Sequence, residues 1–329
     1  MAIDAQTQKI LITNKIGRKM WVWDSDSFYT QRLQAGPYQK QNLIHLRELC
    51  PHPRKILDIG MNIGMNTWEY ATFAKEVHSF EPVPTTYQVG LDNIALNEHH
   101  QDPATGWWKN DDGTWASLAV TGQINTYNVA LGTQPGTVEM HIKKNDGHNR
   151  VSNDGYKTVT GKEVKVNTGY QRVSVPQLTL DSYNFTDVDI IKIDVEGYEL
   201  NVLQGATNTL LTNRPIVQVE CVETQPKAFG TTIQELMDFF TERDYIITTA
   251  DGIVRGPQWC YVKKMMDRFM IPKERTDLYD LNKLTKDKPV KVKKVKEPKP
   301  PKEPKPPKEP KVKKDNRKPE PIFNQLYNE

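Results

Sequence analysis

Two glycines and two acids have the spacing of a nucleoside-binding turn. The segment Asp58-Ile-Gly-Met-Asn-Ile-Gly64 follows a short apolar run, and Glu81 ends the next apolar run, about 20 positions after Gly60. Gly60 allows a sharp turn, Gly64 allows a helix to approach closely, and a carboxylate at position 81 can accept both hydroxyl groups of a ribose. A plain strand-to-helix turn capped by Asn62 is the alternative.

The form of the glycine pattern restricts the kind of nucleoside. The order Gly-x-Asn-x-Gly is tighter than the Gly-x-Gly-x-x-Gly turn of nicotinamide-dependent enzymes, and no Gly-Lys-Ser/Thr follows it as in a P-loop. Backbone amides at the start of a helix can bind a carboxylate as well as a phosphate. The pattern therefore favours a nucleoside that carries a carboxylate, and S-adenosylmethionine is such a ligand.

Further carboxylates follow the apolar run Asp189–Val195. Asp194 and Glu196 flank the end of this run, where a ligand would lie, whereas Glu199 begins a helical pattern and is better explained as a capping residue. Glu220 ends the next run and could join Asp194 around a divalent cation with oxygen ligands. Because carboxylates alone are weak evidence for a metal, a divalent cation is possible but not favoured, and no metal ligand is assigned.

One histidine and three tryptophans are further candidates. His148 lies in a polar loop after the third predicted strand, and an imidazole that titrates near neutrality suits a general base. A surface-loop histidine is the alternative. Trp107, Trp108 and Trp115 could form a platform for the acceptor, or they could pin a hairpin to the domain.

The elements that must position these side chains alternate between short apolar runs and helical patterns, which predicts an α/β fold with a parallel sheet covered by helices on both faces. Strands are predicted at Lys55–Gly60, Val77–Glu81, Ile124–Leu131, Asp189–Val195, Pro215–Val222, Tyr245–Thr249 and Trp259–Val262, with Val138–Ile142 as a hairpin partner. Helices are predicted at about Met65–Ala74, Thr85–Asn97, Glu199–Leu211 and Thr232–Arg243. Ligands of such sheets bind at the carboxyl ends of the strands.

Four of these segments resemble the FkbM-type methyltransferases. The resemblance covers roughly residues 30–265 and is carried by DIGMNIG, by the FEP of Phe80–Pro82, by IIKIDVEGYELNVLQGA (Ile190–Ala206) and by PIVQVE (Pro215–Glu220). It implies a class I methyltransferase fold, which is Rossmann-like with a mostly parallel seven-stranded sheet and helices on both faces. It also implies S-adenosylmethionine as cofactor, with contacts at Tyr38, Asp58, Gly60, Asn62, Gly64, Glu81, Asn128 and Ala130.

The favoured interpretation is an S-adenosylmethionine-dependent O-methyltransferase that acts on a hydroxyl of a carbohydrate-like or other small acceptor. Its catalytic candidates are Asp194, Glu196 and His148. The alternative is a non-catalytic binding or structural protein that retains the fold and docks a partner through its basic tail. Nucleic-acid methylation is not favoured, because the chain outside the tail is acidic and lacks an Asn/Asp-Pro-Pro-Tyr/Phe motif.

The tail explains the unusual composition of the chain. The 329 residues carry a formal net charge of +3 and are 37% hydrophobic, which is low for a globular protein. Residues 283–320 contain 16 basic and 6 acidic side chains, so this segment carries about +10 and the remainder about −7. Repeated Lys-Glu-Pro-Lys-Pro-Pro units predict a disordered, extended arm, either a spacer or a docking arm for an anionic or protein partner.

These observations divide the chain into four predicted parts. Residues 1–50 form an N-terminal segment with a helix that covers the cofactor site, and residues 51–270 form the methyltransferase domain. Residues 271–320 form the Lys/Pro-rich arm, and residues 321–329 form a short apolar peptide. No apolar run is long enough to span a membrane, no secretory signal is evident, and the three cysteines are scattered, so a cytoplasmic location is expected.

Overall fold

The structure is a computed structural model that describes residues 9–13, 19–23, 31, 33, 39–98, 105–109, 115–142, 149–152, 171–222, 226–249, 254–255 and 266–278. The chain divides into two compact units, residues 1–289 and residues 290–329. The second unit lies outside the described residues, as do the Lys/Pro-rich arm from residue 279 onward and the last nine residues. The predictions made for residues 279–329 therefore stay predictions, whereas the predicted start of the arm at residue 271 is wrong, because Ile271 and Pro272 belong to the strand Met266–Pro272 and Ile271 is buried.

The described strands and helices follow one another along the chain as a series of βα units with two inserted hairpins. The strands are β1 (Lys9–Thr13), β2 (Lys19–Trp23), β3 (Lys55–Ile59), β4 (Glu76–Phe80), β5 (Thr105–Lys109), β6 (Trp115–Ala119), β7 (Gln123–Tyr127), β8 (Ala130–Leu131), β9 (Gly136–Ile142), β10 (Arg150–Val151), β11 (Gln171–Leu178), β12 (Val188–Ile193), β13 (Ile216–Cys221), β14 (Tyr245–Thr248), β15 (Val254–Arg255) and β16 (Met266–Pro272). The helices are α1 (Lys40–Leu49), α2 (Met65–Tyr70), α3 (Pro84–Glu98), α4 (Glu199–Gln204), α5 (Thr207–Asn213) and α6 (Ile233–Thr241).

The main sheet has the order β15-β14-β16-β13-β12-β3-β4-β7. The five strands from β13 to β7 are parallel, and β16 is antiparallel to both of its neighbours, β13 and β14. The first strand of the series, β3, lies between β4 and β12, so the strand order reverses there. Such a reversal places a ligand crevice at the carboxyl end of β3.

The predicted fold class is confirmed, with differences at the sheet edge. The sheet has eight strands instead of seven, because β15 extends it beyond β14. The predicted strand Trp259–Val262 lies outside the described residues, and Met266–Pro272 forms the antiparallel strand between β13 and β14. The sequence MDRFMIP places two charged residues in this strand, which hides it from a search for continuous apolar runs.

A second sheet, with the order β10-β9-β11-β8, divides the predicted strand Ile124–Leu131 in two. The first part of the predicted strand belongs to β7 of the main sheet. The last two residues of the predicted strand form β8, which pairs with β11. The predicted hairpin strand β9 pairs with β10 and β11. Strand β11 was not predicted, because its side chains alternate between buried and exposed and it includes a proline.

The predicted helix Glu199–Leu211 is also divided, into α4 and α5. Gly205 ends α4 and lies so close to the second sheet that a Cβ atom there would be 2.0 Å from the carbonyl oxygen of Gly132. Helix α5 then begins at Thr207. The carboxylate of Asp181 accepts hydrogen bonds from the backbone amides of Asn208 and Thr209 in its first turn, at 2.9 and 2.8 Å. The close packing of glycine on the neighbouring backbone therefore sets the break.

The two faces of the parallel strands carry different layers. One face packs with helices α4 to α6 and the second sheet, and it includes Leu57, Ile191 and Val217. The other face packs with α1 and α2, and it includes Ile56 and Ile190. No helix among the described residues is both long and apolar enough to cross a membrane.

Candidate active site

The glycine turn after β3 is pressed against the end of β12. The backbone amides of Gly60 and Met61 both donate to the carbonyl of Phe80, at 3.0 and 2.9 Å, which ties the turn to β4. Gly60 has φ of 86°, and a Cβ atom on it would lie 1.9 Å from the carbonyl oxygen of Asp194. Only glycine fits this position, so the turn and the end of β12 have one fixed arrangement.

We expect Gly60→Ala to lower the free energy of unfolding by about 2 kcal/mol or more, because the added methyl group strains the backbone and overlaps the carbonyl of Asp194. Chemical denaturation measures the effect. Gly136→Ala is the matched control, because a Cβ atom at that glycine has no neighbour within 4 Å. Equal stability of the two variants would show that the turn is not held as described.

Glu81 connects the glycine turn to the end of β4. Its side chain is buried, with Oε2 accepting from the backbone amide of Asn62 at 3.0 Å and Oε1 accepting from that of Val83 at 2.9 Å. Asn128 fixes the same corner from the end of β7, since its Nδ2 donates to the carbonyls of Glu81 and Pro82 at 2.8 and 3.0 Å. The structure therefore brings Glu81 and Asn128 together with the glycine turn.

The other predicted cofactor residues have different surroundings. Asp58 is wholly buried and accepts a hydrogen bond from Thr67 at 2.8 Å, so its carboxylate faces the protein interior. Ala130 is buried at the start of β8 in the second sheet. Tyr38 lies outside the described residues, as does the catalytic candidate His148. The tryptophans at 107, 108 and 115 belong to the hairpin β5–β6, whose side chains are not described.

Lys192 is a buried cation beneath the glycine turn that the sequence interpretation missed. Its ammonium donates to the carbonyl of Gly60 at 2.8 Å and lies 3.4 Å from Asp58 Oδ1 and 3.6 Å from Asp194 Oδ2. Its side chain is 4% exposed. In the sequence, Lys192 stands out as a charged residue within the apolar run of β12. In the sheet it pairs with Asp58 of β3. Lys192 therefore holds the turn, β3 and β12 together by charge.

Three carboxylates converge beyond the ends of β12 and β13. Asp194, Glu196 and Glu220 each place a carboxylate oxygen within 4.8 Å of the other two. Asp194 and Glu196 are partly exposed, and Glu220 is buried. Burial, followed by the charges of Asp194 and Glu196, raises the pKa of Glu220 to about 10. The catalytic candidates of β12 thus belong to a larger acidic group, which lies next to the glycine turn.

Glu199 supports the turn that carries these acids. Its buried carboxylate accepts hydrogen bonds from the backbone amides of Gly197 and Val195, at 2.9 and 3.3 Å. These bonds hold the reversal in which Glu196 adopts a φ of 58°. Burial raises the pKa of Glu199 from 4.5 to about 7. The role of Glu199 is therefore structural, as the sequence favoured. Its carboxyl group binds the turn before α4 and does not cap the helix itself.

The raised pKa gives stability a pH dependence of definite sign. Folded protein keeps a proton on Glu199 that the unfolded chain releases, so this contribution to stability is complete below pH of about 4.5 and is lost as the pH rises through about 7. We expect the unfolding free energy of wild type to fall relative to that of Glu199→Gln as the pH rises from about 4.5 to about 7. Denaturation at several pH values checks this, and a difference independent of pH would contradict it.

The start of α1 reaches the same region from the N-terminal side. Asn42 donates a hydrogen bond to Asp267 of β16, and Gln39 accepts hydrogen bonds from Asn66 and Gln218 at 3.2 and 3.5 Å. Burial, followed by the charge of Asp194, raises the pKa of Asp267 to about 6. That this helix covers the cofactor stays a prediction.

Comparisons with solved structures give several methyltransferases. The crystal structure of methyltransferase FkbM from Methylobacillus flagellatus KT is 14% identical with a TM-score of 0.40, and the match covers 75% of this chain and 55% of that one. N-methyltransferase NodS from Bradyrhizobium japonicum WM9, in complex with S-adenosyl-L-homocysteine, is 10% identical with a TM-score of 0.36, covering 75% and 94%. The chain thus spans little more than half the length of the Methylobacillus protein. A comparison with curated proteins gives no match.

The sequence model of the family described as "Methyltransferase FkbM domain" matches residues 58–247. This range begins at the end of β3 and includes the glycine turn, Glu81, Lys192 and the acids that follow β12 and β13. It covers more than half of the chain, and it confirms the resemblance found in the sequence. The chain belongs to the FkbM methyltransferase family.

Proposed function

We propose that this protein transfers a methyl group from S-adenosylmethionine to a hydroxyl of a carbohydrate-like or other small acceptor. The observation that carries the proposal is the contact between the two halves of the site. The glycine turn that would hold the cofactor touches the backbone of Asp194, which begins the acidic group that would receive the acceptor. Methyl transfer requires this closeness, because it is a direct displacement between two bound molecules.

The residues of the turn fit the proposed cofactor. S-Adenosylmethionine supplies an electrophilic methyl group on its sulfonium. Backbone hydrogen bonds from Asn62 and Val83 fix the carboxylate of Glu81 at the end of β4, where we propose that it also accepts the hydroxyls of a ribose. Asn128 fixes the backbone beside it, and we propose that the segment from Asn128 to Ala130 borders the adenine.

Asp58 and Lys192 support the glycine turn of the proposed cofactor site from the protein interior. Asp58 is wholly buried, so we propose that it acts through the turn and does not contact the cofactor itself. Lys192 bonds to the carbonyl of Gly60 and thereby fixes the direction in which the turn presents its amides. Gly60, Asn62 and Gly64 all have positive φ, at 86°, 52° and 82°, so the turn reverses direction through three left-handed residues.

The acids beyond β12 would act on the acceptor. A hydroxyl is a poor nucleophile, and its attack on a methyl group requires an acceptor for its proton. Asp194 and Glu196 are partly exposed at the carboxyl end of the sheet, where an acceptor would lie. Their carboxylate oxygens would orient the hydroxyl through a hydrogen bond and hold its proton. Family membership supports methyl transfer in general, and these acids support oxygen as the atom that is methylated.

Replacing Asp194 with asparagine tests the catalytic role. We expect kcat to fall roughly 100-fold, because the proton acceptor is lost, while cofactor affinity stays close to that of wild type. Steady-state kinetics with an identified acceptor and calorimetry with S-adenosylmethionine measure the two quantities. Asp189→Asn is the matched control, because Asp189 lies near the opposite end of the same strand and accepts a hydrogen bond from the backbone amide of Arg54.

Two outcomes would contradict this role of Asp194. If kcat is unchanged in Asp194→Asn, the residue does not act on the acceptor. If thermal melting shows that Asp194→Asn no longer folds while Asp189→Asn does, Asp194 has a structural role through its ion pair with Lys192.

A further inference from the structure

The carboxylates of Asp194, Glu196 and Glu220 meet because of the way in which two parallel strands end. In the register of β12 and β13, Ile193 pairs with Val219, so the residues that follow them, Asp194 and Glu220, are neighbours. The chain then reverses at Glu196, whose φ is 58°. One oxygen from each of the three acids lies within 4.8 Å of the others. The arrangement is a compact set of three oxygen donors.

Glu220 has a buried polar atom that needs a partner. The residue is 6% exposed, and its Oε2 atom has no hydrogen-bond partner among the residues that the structure describes. Asp194 and Glu196 each place a carboxylate oxygen within 4.8 Å of an oxygen of Glu220. Buried carboxylate oxygens in folded proteins are normally satisfied by a donor or a cation. The site therefore requires positive charge or a proton at this point.

Lys192 is a buried cation near the end of β12, and its ammonium points toward the glycine turn. An ammonium group has three N–H donors. That of Lys192 donates to the carbonyl of Gly60 and lies close to carboxylate oxygens of Asp58 and Asp194, at 3.4 and 3.6 Å. Glu220 Oε2 has no hydrogen-bond partner among the described residues, the ammonium of Lys192 included.

We propose that Asp194, Glu196 and Glu220 bind a divalent, oxygen-preferring cation such as Mg²⁺, Mn²⁺ or Ca²⁺. Three carboxylates form a hard, all-oxygen donor set, which suits these ions and differs from the nitrogen and sulfur sets of zinc. Two oxygens on opposite sides of such an ion are separated by roughly 4–5 Å, since metal–oxygen distances are about 2.0–2.6 Å. The three carboxylate oxygens lie within 4.8 Å of one another, which is compatible with this separation.

The position of the cation gives it a role at the proposed acceptor site. The carbonyl of Asp194 contacts Gly60, so the cation site lies beside the turn that would hold the methyl donor. Three protein ligands leave further coordination positions of a six-coordinate ion for water or for oxygens of the acceptor. This role rests on the proposed function, and it restricts acceptors to molecules whose hydroxyl oxygens can bind a metal, such as sugars with neighbouring hydroxyls.

Titration of the full-length protein with Mn²⁺ alone tests the site. The protein is first treated with EDTA and dialysed, and the electron paramagnetic resonance signal of free aqueous Mn²⁺ then reports binding. We expect one Mn²⁺ per chain, displaced by excess Mg²⁺ or Ca²⁺. Glu220→Gln and Glu196→Gln should each weaken binding roughly 10-fold or more. Glu242→Gln is the matched control and should bind as wild type does, because Glu242 is 73% exposed and distant in the chain.

The absence of Mn²⁺ binding by wild type at millimolar concentration would overturn the proposal, and would indicate that Glu220 holds a proton instead. Unchanged binding in the variants would also overturn it. Glu196 is partly exposed, so Glu196→Gln keeps the test decisive if Glu220→Gln fails to fold. Because the titration contains neither S-adenosylmethionine nor an acceptor, its result is independent of whether the protein transfers a methyl group.

Discussion

Glu81→Ala should weaken S-adenosylmethionine binding by about 2–4 kcal/mol, which corresponds to roughly a 30- to 1,000-fold increase in Kd. The proposed contacts are two hydrogen bonds from ribose hydroxyls to a carboxylate, and the alanine variant loses both. The carboxylate is buried at the end of β4 and is held by two backbone amides, so little ordering is required when the ligand binds. Isothermal titration calorimetry measures the change.

Two further variants separate binding from folding in this test. Glu81→Gln keeps the size of the side chain and one carbonyl oxygen, so its loss of affinity should be smaller than that of Glu81→Ala. Glu76→Ala changes a glutamate at the opposite end of the same strand and should leave the affinity unchanged. If Glu81→Ala melts as wild type does and binds the cofactor equally well, Glu81 does not contact the ribose.

Lys192→Met should lower the free energy of unfolding by about 3–5 kcal/mol, because it leaves a buried acid without its counter-charge. Asp58 is wholly buried beside this lysine, and the carbonyl of Gly60 would also lose its donor. For a domain of this size the expected fall in Tm is roughly 6–20 °C. Methionine has a similar length and no charge, so the change tests the charge of Lys192 more than its volume.

The double variant Lys192→Met/Asp58→Asn distinguishes an ion pair from simple packing. Removing both charges should recover part of the stability lost in Lys192→Met, since no unpaired carboxylate remains at position 58. Lys75→Met changes an exposed lysine and should have little effect. A Tm of Lys192→Met equal to that of wild type, or a double variant no more stable than the single one, would contradict this description of the site.

The positions of the parallel strands along the chain could be predicted because most of these strands are short, apolar and followed by a helical pattern. β3, β4, β12 and β13 are buried on both faces, and apolar residues predominate in β3, β12 and β13. β11 alternates between buried and exposed positions, and β16 carries charged residues, so neither stands out from its surroundings in the sequence. The break between α4 and α5 depends on a distant contact of Gly205, which no local pattern contains.

The candidate site was predictable where residues follow strand ends, and less so where they lie inside strands. Glu81 and the glycine turn were located from their spacing, because the carboxyl ends of adjacent parallel strands share one edge of the sheet. Lys192 lies within β12, where an apolar residue is expected, and its role follows only from its pairing with Asp58 across the sheet. The burial of Glu220 likewise depends on β16, a strand distant in the sequence whose Asp267 pairs with Glu220 across the sheet.

A labelling measurement tests most directly whether the chain methylates an oxygen atom of a small acceptor with S-adenosylmethionine, as we propose. Full-length protein is incubated with S-adenosylmethionine that carries a deuterated methyl group and with an extract of glycans and metabolites, and products are identified by mass spectrometry. We expect a labelled methyl group on a hydroxyl oxygen of a carbohydrate-like or other small molecule, and we expect Glu81→Ala to lose it. A label that remains on the donor, or that appears on nitrogen or on nucleic acid, would contradict it.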